Sequence, residues 1–520
     1  VSTELLVGGR IYTPASTTAT AIAVENGVIS WIGEDRAARA LHPDAQVTDL
    51  DGAFVAPAFV DTHVHLSATG LALTGLDLSG PRDAVVATLQ GTLGDAVLAR
   101  GWDDTTWEAP LLRTDLPADR VIYAARIDEH SAQASTALRA LVPDLAGLAG
   151  YSPDGPLTAA AHHAVRAAAI AALSDSQITA AQTAALEAAA RSGIAAVHEN
   201  SGPDIAGERD FALLAGIEHP VHVRRYWGEP ARDADHAREI LARTGADGLA
   251  GDLFVDGSLG SHTALLHEPY ADADTRGVSY LDDETVANHI AACTEAGIQA
   301  GFHAIGDAAM SRIVAGLVAA AERFGGPRVA SCTHRIEHAE MVTAEQARLL
   351  GDLGVNASMQ PLFDAFWGGP DGMYALRLGT DRAAALNDFA LLARNAVPLA
   401  LSSDSPVTPL DPWATVRAAT QHHTPGSSIS PRAAFAAATR GAWRAGGVRD
   451  GVAGTLVPGA PATFAVWDAD ELVVRAPSDA VQRWSTDPRA GVAPLPDLSP
   501  GARLPRCLRT VIDGRTVFAA

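Results

Sequence analysis

The sequence predicts an α/β fold: a (β/α)8 TIM barrel with an inserted subdomain after its first strand, joined to a small β-sandwich built from both chain ends. Three observations carry this. Between residues 57 and 449, eight short apolar runs alternate with amphipathic or alanine-rich helical stretches, the pattern of a parallel barrel. About 130 residues separate the first run from the second, too many for one crossover helix, so a subdomain is inserted there. Both termini read as short alternating strands, and neither is long enough to bury a two-sheet core alone.

The elements follow in chain order. At the N-terminus LLVGGRIYT, AIAVE and VISWIG are strand-like, and Asn26-Gly27 makes a two-residue hairpin turn between the last two. The C-terminal counterparts are PATFAVWD, ELVVRA and TVIDGRTVF, the last with Asp513-Gly514 as its turn. Residues 1–56 and 450–520 are therefore expected to fold together. The barrel strands are AFVAPAFVDTHVHL, GIAAVHEN, PVHVRRYW, GDLFVDG, GIQAGFHAIGD, HRIEHAE, GVNASMQP and VPLALSSD. The insert, roughly residues 70–190, holds VIYAARIDEH and a helical region over 157–191 that stops before Gly193. Its alanine runs are helix formers.

Composition narrows the function. Of 520 residues, 48% are hydrophobic and 19% charged, which excludes a disordered chain. A net charge of −23 argues against nucleic acid or an anionic membrane as main partner and leaves a small molecule. No apolar stretch reaches the length of a membrane span, and VSTELLVGGRIYT lacks the plan of a signal peptide. Cys293, Cys332 and Cys507 are odd in number and far apart, which speaks against a disulfide framework or thiolate metal site and for a cytoplasmic setting. Homo-oligomerisation is left open. All 38 basic residues are arginine. Schiff-base, P-loop and carboxylated lysines are thereby closed to this chain.

The chemistry-bearing residues sit at strand ends. His63 and His65 end the first run, and side chains two apart on a strand point the same way, so both can reach one ion. With 18 histidines, chance alone yields about 0.6 such pairs, so the pair means little by itself. What raises its weight is that His303, His338 and Asp404 occupy the same strand-to-loop position on other runs, the face where barrel active sites lie. Four imidazoles and a carboxylate suit zinc or a similar divalent ion. Such an ion brings the pKa of its water near neutrality, with Asp404 (and His338) placed to handle protons. No GxSxG elbow and no phosphate-binding GxGxxG accompanies a strand end. His334 reads as structural, and His162-His163 and His422-His423 as surface or loop pairs.

DTHVHL, VDGSLGSHTA, FHAIGDAAM, RIEHAE and LSSD together resemble the amidohydrolase superfamily, within it the branch of N-substituted formamide deformylases (amidohydrolase family 3). The likeness runs nearly end to end and includes GWDDTTW, ARIDEHSAQASTAL and GTLVPGAPATFAVWD. It implies a hydrolase of non-peptide C–N bonds, holding one or two metals through His63, His65, His303, His338 and Asp404. Many relatives bridge two metals with a carboxylated lysine, where this chain has Asp252. Asp252 is several bonds shorter and is expected to fall short of that point without a backbone shift. Glu199 is then the alternative second-metal or bridging carboxylate, and one firmly bound zinc is expected on His63, His65, His303 and Asp404, with His338 a second-metal ligand or a hydrogen-bond donor to the water or substrate. His262 stands where relatives commonly carry arginine, which weakens a carboxylate substrate. The expected substrate is a neutral amide or carbamate with an apolar substituent, in a pocket drawn from Trp102, His130, His262, Phe366 and Trp367, with Trp107 and Phe363 as alternatives that core packing explains equally well. The rivals are a deaminase of a heterocyclic or guanidino substrate and a barrel that has lost its activity. Against the first, no glutamate follows His303 at three residues; against the second, every expected ligand is present.

Overall fold

The computed structural model describes residues 3–92, 96–474 and 493–520. Besides a two-stranded sheet of Leu472–Val473 and Leu495–Pro496, the chain ends form two larger sheets among these residues. One contains Thr3–Val7, Ala21–Glu25, Val28–Gly33 and Gln46–Asp49; the other joins Arg10–Ile11 and Phe54–Pro57 to Phe464–Asp468, Arg506–Ile512 and Arg515–Ala519. Leu6, Ile22, Val55, Phe464 and Val511 from both termini share one core cluster, so each end covers apolar surface of the other. The two anticipated hairpins form, with positive φ at Asn26, Gly27, Asp513 and Gly514. They also stack: a Cβ on Gly514 would stand 2.5 Å from Gly27 Cα. Of the ELVVRA run, Leu472–Val473 is a strand, whereas residues 475–476 lie outside the described residues.

Between the ends, seven parallel strands fall into two sheets. Phe59–Val64, Ile194–Ser201 and His222–Trp227 make one; Gly301–Ala304, Arg335–His338, Asn356–Met359 and Leu399–Leu401 make the other. Parallel bridges link them. Val64 pairs with Ser405 on one side; on the other Tyr226 pairs with Gly248, Leu249 with Ala300 and Phe254 with His303. The remaining apolar run, GDLFVDG, thus pairs through the single Phe254–His303 bridge, with Gly248 and Leu249 bridging just before it, rather than as a regular strand. Helices such as Asp307–Phe324 and Ala344–Asp352 bury one face on these sheets, with Met310, Ile313 and Leu350 in the main core.

The residues expected to form the insert carry a sheet of their own, Leu76–Asp77, Ala96–Trp102, Val121–Arg126, Ser131–Ala134 and Leu157–Thr158. The helices Ala159–Ala171 and Asp175–Arg191 follow it. Ser174 and Gln177 cap the second in a reciprocal box, and Gly193, at φ 75°, turns the chain into the next strand. No helix of the described residues is long and apolar enough to cross a membrane.

Candidate metal centre

Backbone pairing delivers the first ligand set. Asp404 N–H donates to His63 O (2.9 Å) and His65 N–H to Ser405 O (2.9 Å), zipping the LSSD loop onto the DTHVH strand. Buried Asp61 accepts from Ser403 N–H (3.1 Å) and His63 N–H (3.2 Å), fixing the same junction. Asp404 and His338 both hold left-handed backbone, φ 56° and 71°. Such strain in non-glycine residues is a cost concentrated at functional sites.

The side chains converge. His63 Nε2 lies 3.3 Å from an oxygen of Asp404 and 3.3 Å from one of Asp252; His65 Nε2 lies 3.3 Å and 3.1 Å from the same two carboxylates. His303 Nδ1 stands 3.8 Å from Asp252, and the His303 and His338 ring centres are 4.4 Å apart. Two sets, His63–His65–Asp404 and His63–Asp252–His338, each hold their ligand atoms within 4.8 Å of one another.

The ring tautomers suit an ion. His63 Nδ1 pairs with Glu337 (2.9 Å), His338 Nδ1 with Gln360 Oε1 (2.8 Å) and His303 Nε2 with Gly257 O (3.1 Å). Each acceptor calls for the ring proton on that nitrogen, which leaves the lone pair of the other nitrogen facing the cluster. His63 Nε2, His303 Nδ1, His338 Nε2, Asp252 Oδ1 and Asp404 Oδ1 are all buried without a hydrogen-bond partner. Buried polar atoms are normally satisfied, so five orphans aimed at one region fit a cation. Burial disfavours charge on His63, but Asp252 and Asp404 outweigh it and raise its pKa well above the ordinary value. Those carboxylates would favour a metal cation for the same reason.

Asp252 reaches the histidine cluster, facing His63, His65 and His303. Two glycines let its backbone run close to the neighbouring strands: Gly251 has φ 81°, and a Cβ on Gly228 would lie 2.7 Å from Leu253 N and 2.9 Å from Asp252 C. Only glycine admits that approach. Gly228→Ala is expected to push Asp252 back, lowering stability by about 1–3 kcal/mol and weakening metal retention in chelator competition. Glu199, the alternative, accepts from Leu66 N–H (2.7 Å) and is outside both ligand sets; burial pushes its pKa up to about 7.

The family model described as "Amidohydrolase family" matches residues 46–518. The chain belongs to that family. This amidohydrolase is 28% identical to YtcJ of Bacillus subtilis (strain 168) over 449 residues, 79% of this chain and 82% of the relative. A 64-residue stretch, 12% of each chain, is 41% identical to the N-substituted formamide deformylase of Arthrobacter pascens. Among solved structures it is similar to an uncharacterized metal-dependent hydrolase from Pyrococcus horikoshii OT3, with TM-score 0.70 and 25% identity, covering 90% of this chain and 98% of that one. The amidohydrolase thus has a mixed α/β fold similar to that of the solved hydrolase.

A recess opens onto the cluster, lined by His65, Asp252, His303, His338 and Asp404 and walled by apolar residues of the insert and its helices. Of the anticipated pocket residues, His130 lines it, its ring 5.1 Å from that of His303. Trp367 and Phe363 line a side branch that also reaches His338 and Asp404. The others sit elsewhere. Trp102 is buried in the insert core, donating to Ala124 O (2.9 Å) and stacked on Trp107; His262 pairs with Asp272 (3.0 Å); Phe366 is 52% exposed and lines neither recess. These aromatic and polar residues carry no sequence mark separating core from cavity. Of the two histidine pairs, His422-His423 lies in a loop as expected, with His423 exposed, whereas His162-His163 sits in a packed helix and needs correction. His162 is fully buried against the Tyr123 hydroxyl (2.8 Å), His163 stacks on Phe254 and Tyr280, and the ring of His422 is packed near Asp364 at 3.5 Å. His334 is structural, between Thr294 Oγ1 (2.9 Å) and Ala300 N–H (3.0 Å).

Sequence reasoning missed the partners that set the tautomers. Arg335 and Glu337 lie fully buried, with Arg335 also donating to His198 Nδ1 (3.0 Å) and Thr62 O (2.7 Å). The available signal was RIE itself: two opposite charges inside a strand of a parallel sheet that is buried on both faces.

Proposed function

We propose that this amidohydrolase cleaves a non-peptide, amide-type C–N bond of a small molecule carrying an apolar substituent, using a metal-activated water. The reading rests on five buried, unpartnered ligand atoms from His63, His303, His338, Asp252 and Asp404 that face one another at the floor of a largely apolar recess. We assign zinc to the firm position His63–His65–Asp404 and place a second, weaker position by Asp252, His338 and His303. Bound there, a divalent ion supplies Lewis acidity to a water and to the scissile carbonyl. Asp404 accepts a proton from the attacking water and delivers it to the departing nitrogen. His338, its Nδ1 tied to Gln360, offers Nε2 to the second ion or to the reacting oxygen. The substrate's apolar part lies against the insert, and the smaller part enters the branch lined by Phe363, Trp367 and Tyr374.

The same reading takes the two parallel sheets with the bridged GDLFVDG run as one (β/α)8 barrel over residues 57–449, the insert as roughly 70–190 and the ends, 1–56 and 450–520, as one β-sandwich. Three buried free thiols suit a reducing, cytoplasmic setting.

Formamides, N-acyl amines, carbamates and cyclic amides should be assayed with metal content measured on the same sample. Chelator treatment is expected to abolish turnover and zinc to restore it, with one full equivalent per chain. Ammonia release from purines, pyrimidines or guanidines with no amide turnover would replace the reading with a deaminase. Two full equivalents would overturn the single firm site.

A further inference from the structure

Arg166 is an unpaired charge in the wall of the substrate recess. It sits on the Ala159–Ala171 helix, only 9% exposed, and lines the same cavity as the metal ligands. Its Nη2 donates to Glu129 O (2.9 Å) and to His162 Nδ1 (3.3 Å), while Nε is buried without an acceptor. Every carboxylate lining the recess is engaged elsewhere. Glu129 pairs with Arg100 (2.9 Å), Asp128 with Arg126 (3.1 Å), Glu199 takes Leu66 N–H, Asp210 takes Ser67 and Gln182, and Asp252 and Asp404 face the histidines. Asp204 feels the Arg166 charge, but no carboxylate among the described residues forms an ion pair with Arg166. Arg100 Nη2 is likewise buried without an acceptor, and Arg100 Nε already occupies the Glu129 carboxylate. Burial, with the Arg166 charge, holds neighbouring His163 down to about 3, so that ring is neutral.

An uncompensated buried guanidinium is costly, and arginine cannot relieve the cost by losing its proton. The wall that Arg166 shares with the metal ligands also carries Leu71, Ile170, Leu173, Ile178 and Ile205. We propose that Arg166 is the anion-binding end of this recess, and that preferred substrates carry a carboxylate separated from the scissile amide by an apolar spacer. This rests on the amide-hydrolase reading and revises the substrate from neutral to anionic at its far end. A carboxylate there would accept charge-assisted hydrogen bonds from the guanidinium, and a fixed guanidinium sets a preferred spacer length.

The test compares zinc-loaded wild-type protein on N-formyl and N-acetyl ω-amino acids against N-formyl and N-acetyl n-alkylamines of equal chain length. The expected result is a kcat/KM ratio of roughly 10-fold or more for the acid at one spacer length, falling on either side of it. Arg166→Met should bring that ratio to about one, and Arg166→Lys should keep part of it. A ratio of one or less at every length, or an unchanged ratio in folded Arg166→Met, overturns the proposal while leaving amide hydrolysis standing. Turnover of neither series overturns both. Were Arg166→Met not to fold, the wild-type length profile decides alone.

Discussion

Asp252→Asn is expected to leave the purified protein with little metal and at least about 100-fold lower kcat/KM, the upper end of what even an outer partner of a ligand costs. Among the described residues, Asp252 is the one carboxylate that faces His63, His65 and His303 together, at 3.3, 3.1 and 3.8 Å. Its Oδ1 is buried without a partner, so removing its charge withdraws a donor that nothing else supplies. Asparagine keeps the shape, and the fold should survive, which circular dichroism and a thermal melt would check. Glu199→Gln is the discriminating control. Glu199 spends an oxygen on Leu66 N–H and stands outside both ligand sets, so metal content should fall much less. Equal metal loss in both variants, or loss only in Glu199→Gln, would return the bridging role to Glu199.

How the two acids differ also shows what was legible in the chain. Period-two spacing on a strand placed His63 beside His65, and the strand-to-loop transitions marked His303, His338 and Asp404, because these signals are local. The hairpins at Asn26-Gly27 and Asp513-Gly514 were legible for the same reason, since positive φ selects those residue pairs. The reach of Asp252 was not legible, because it depends on where the backbone runs. That course is set by Gly228 and Gly251, whose contacts lie on other strands. Likewise the tautomer of His63 is chosen by Glu337, 274 residues away. The pocket was read least well. Trp102 and Phe366 look alike as aromatic residues in the sequence, yet one fills the insert core and the other faces solvent. Arg166, buried on an alanine-rich helix, gives no local hint that it lacks a carboxylate.

Asp404→Asn should lower kcat by about 10²–10⁴, the range for loss of a positioned general acid–base group. Asp404 is held by its own N–H to His63 O (2.9 Å) and by a left-handed backbone that asparagine also tolerates, so the replacement should keep the loop in place. An amide oxygen cannot take a proton from water and return it to nitrogen. Because Asp404 Oδ1 also lies 3.3 Å from both His63 Nε2 and His65 Nε2, the variant should bind metal more weakly as well. The two roles separate when activity is expressed per bound ion. A pure ligand role predicts unchanged turnover per ion once zinc is saturating. A proton-carrying role predicts that the loss persists, and that it grows with the basicity of the leaving nitrogen. Anilides with electron-withdrawing rings leave with little protonation and should lose least, whereas alkylamides, which must be protonated to depart, should lose most. A loss independent of the leaving group would confine Asp404 to holding the ion.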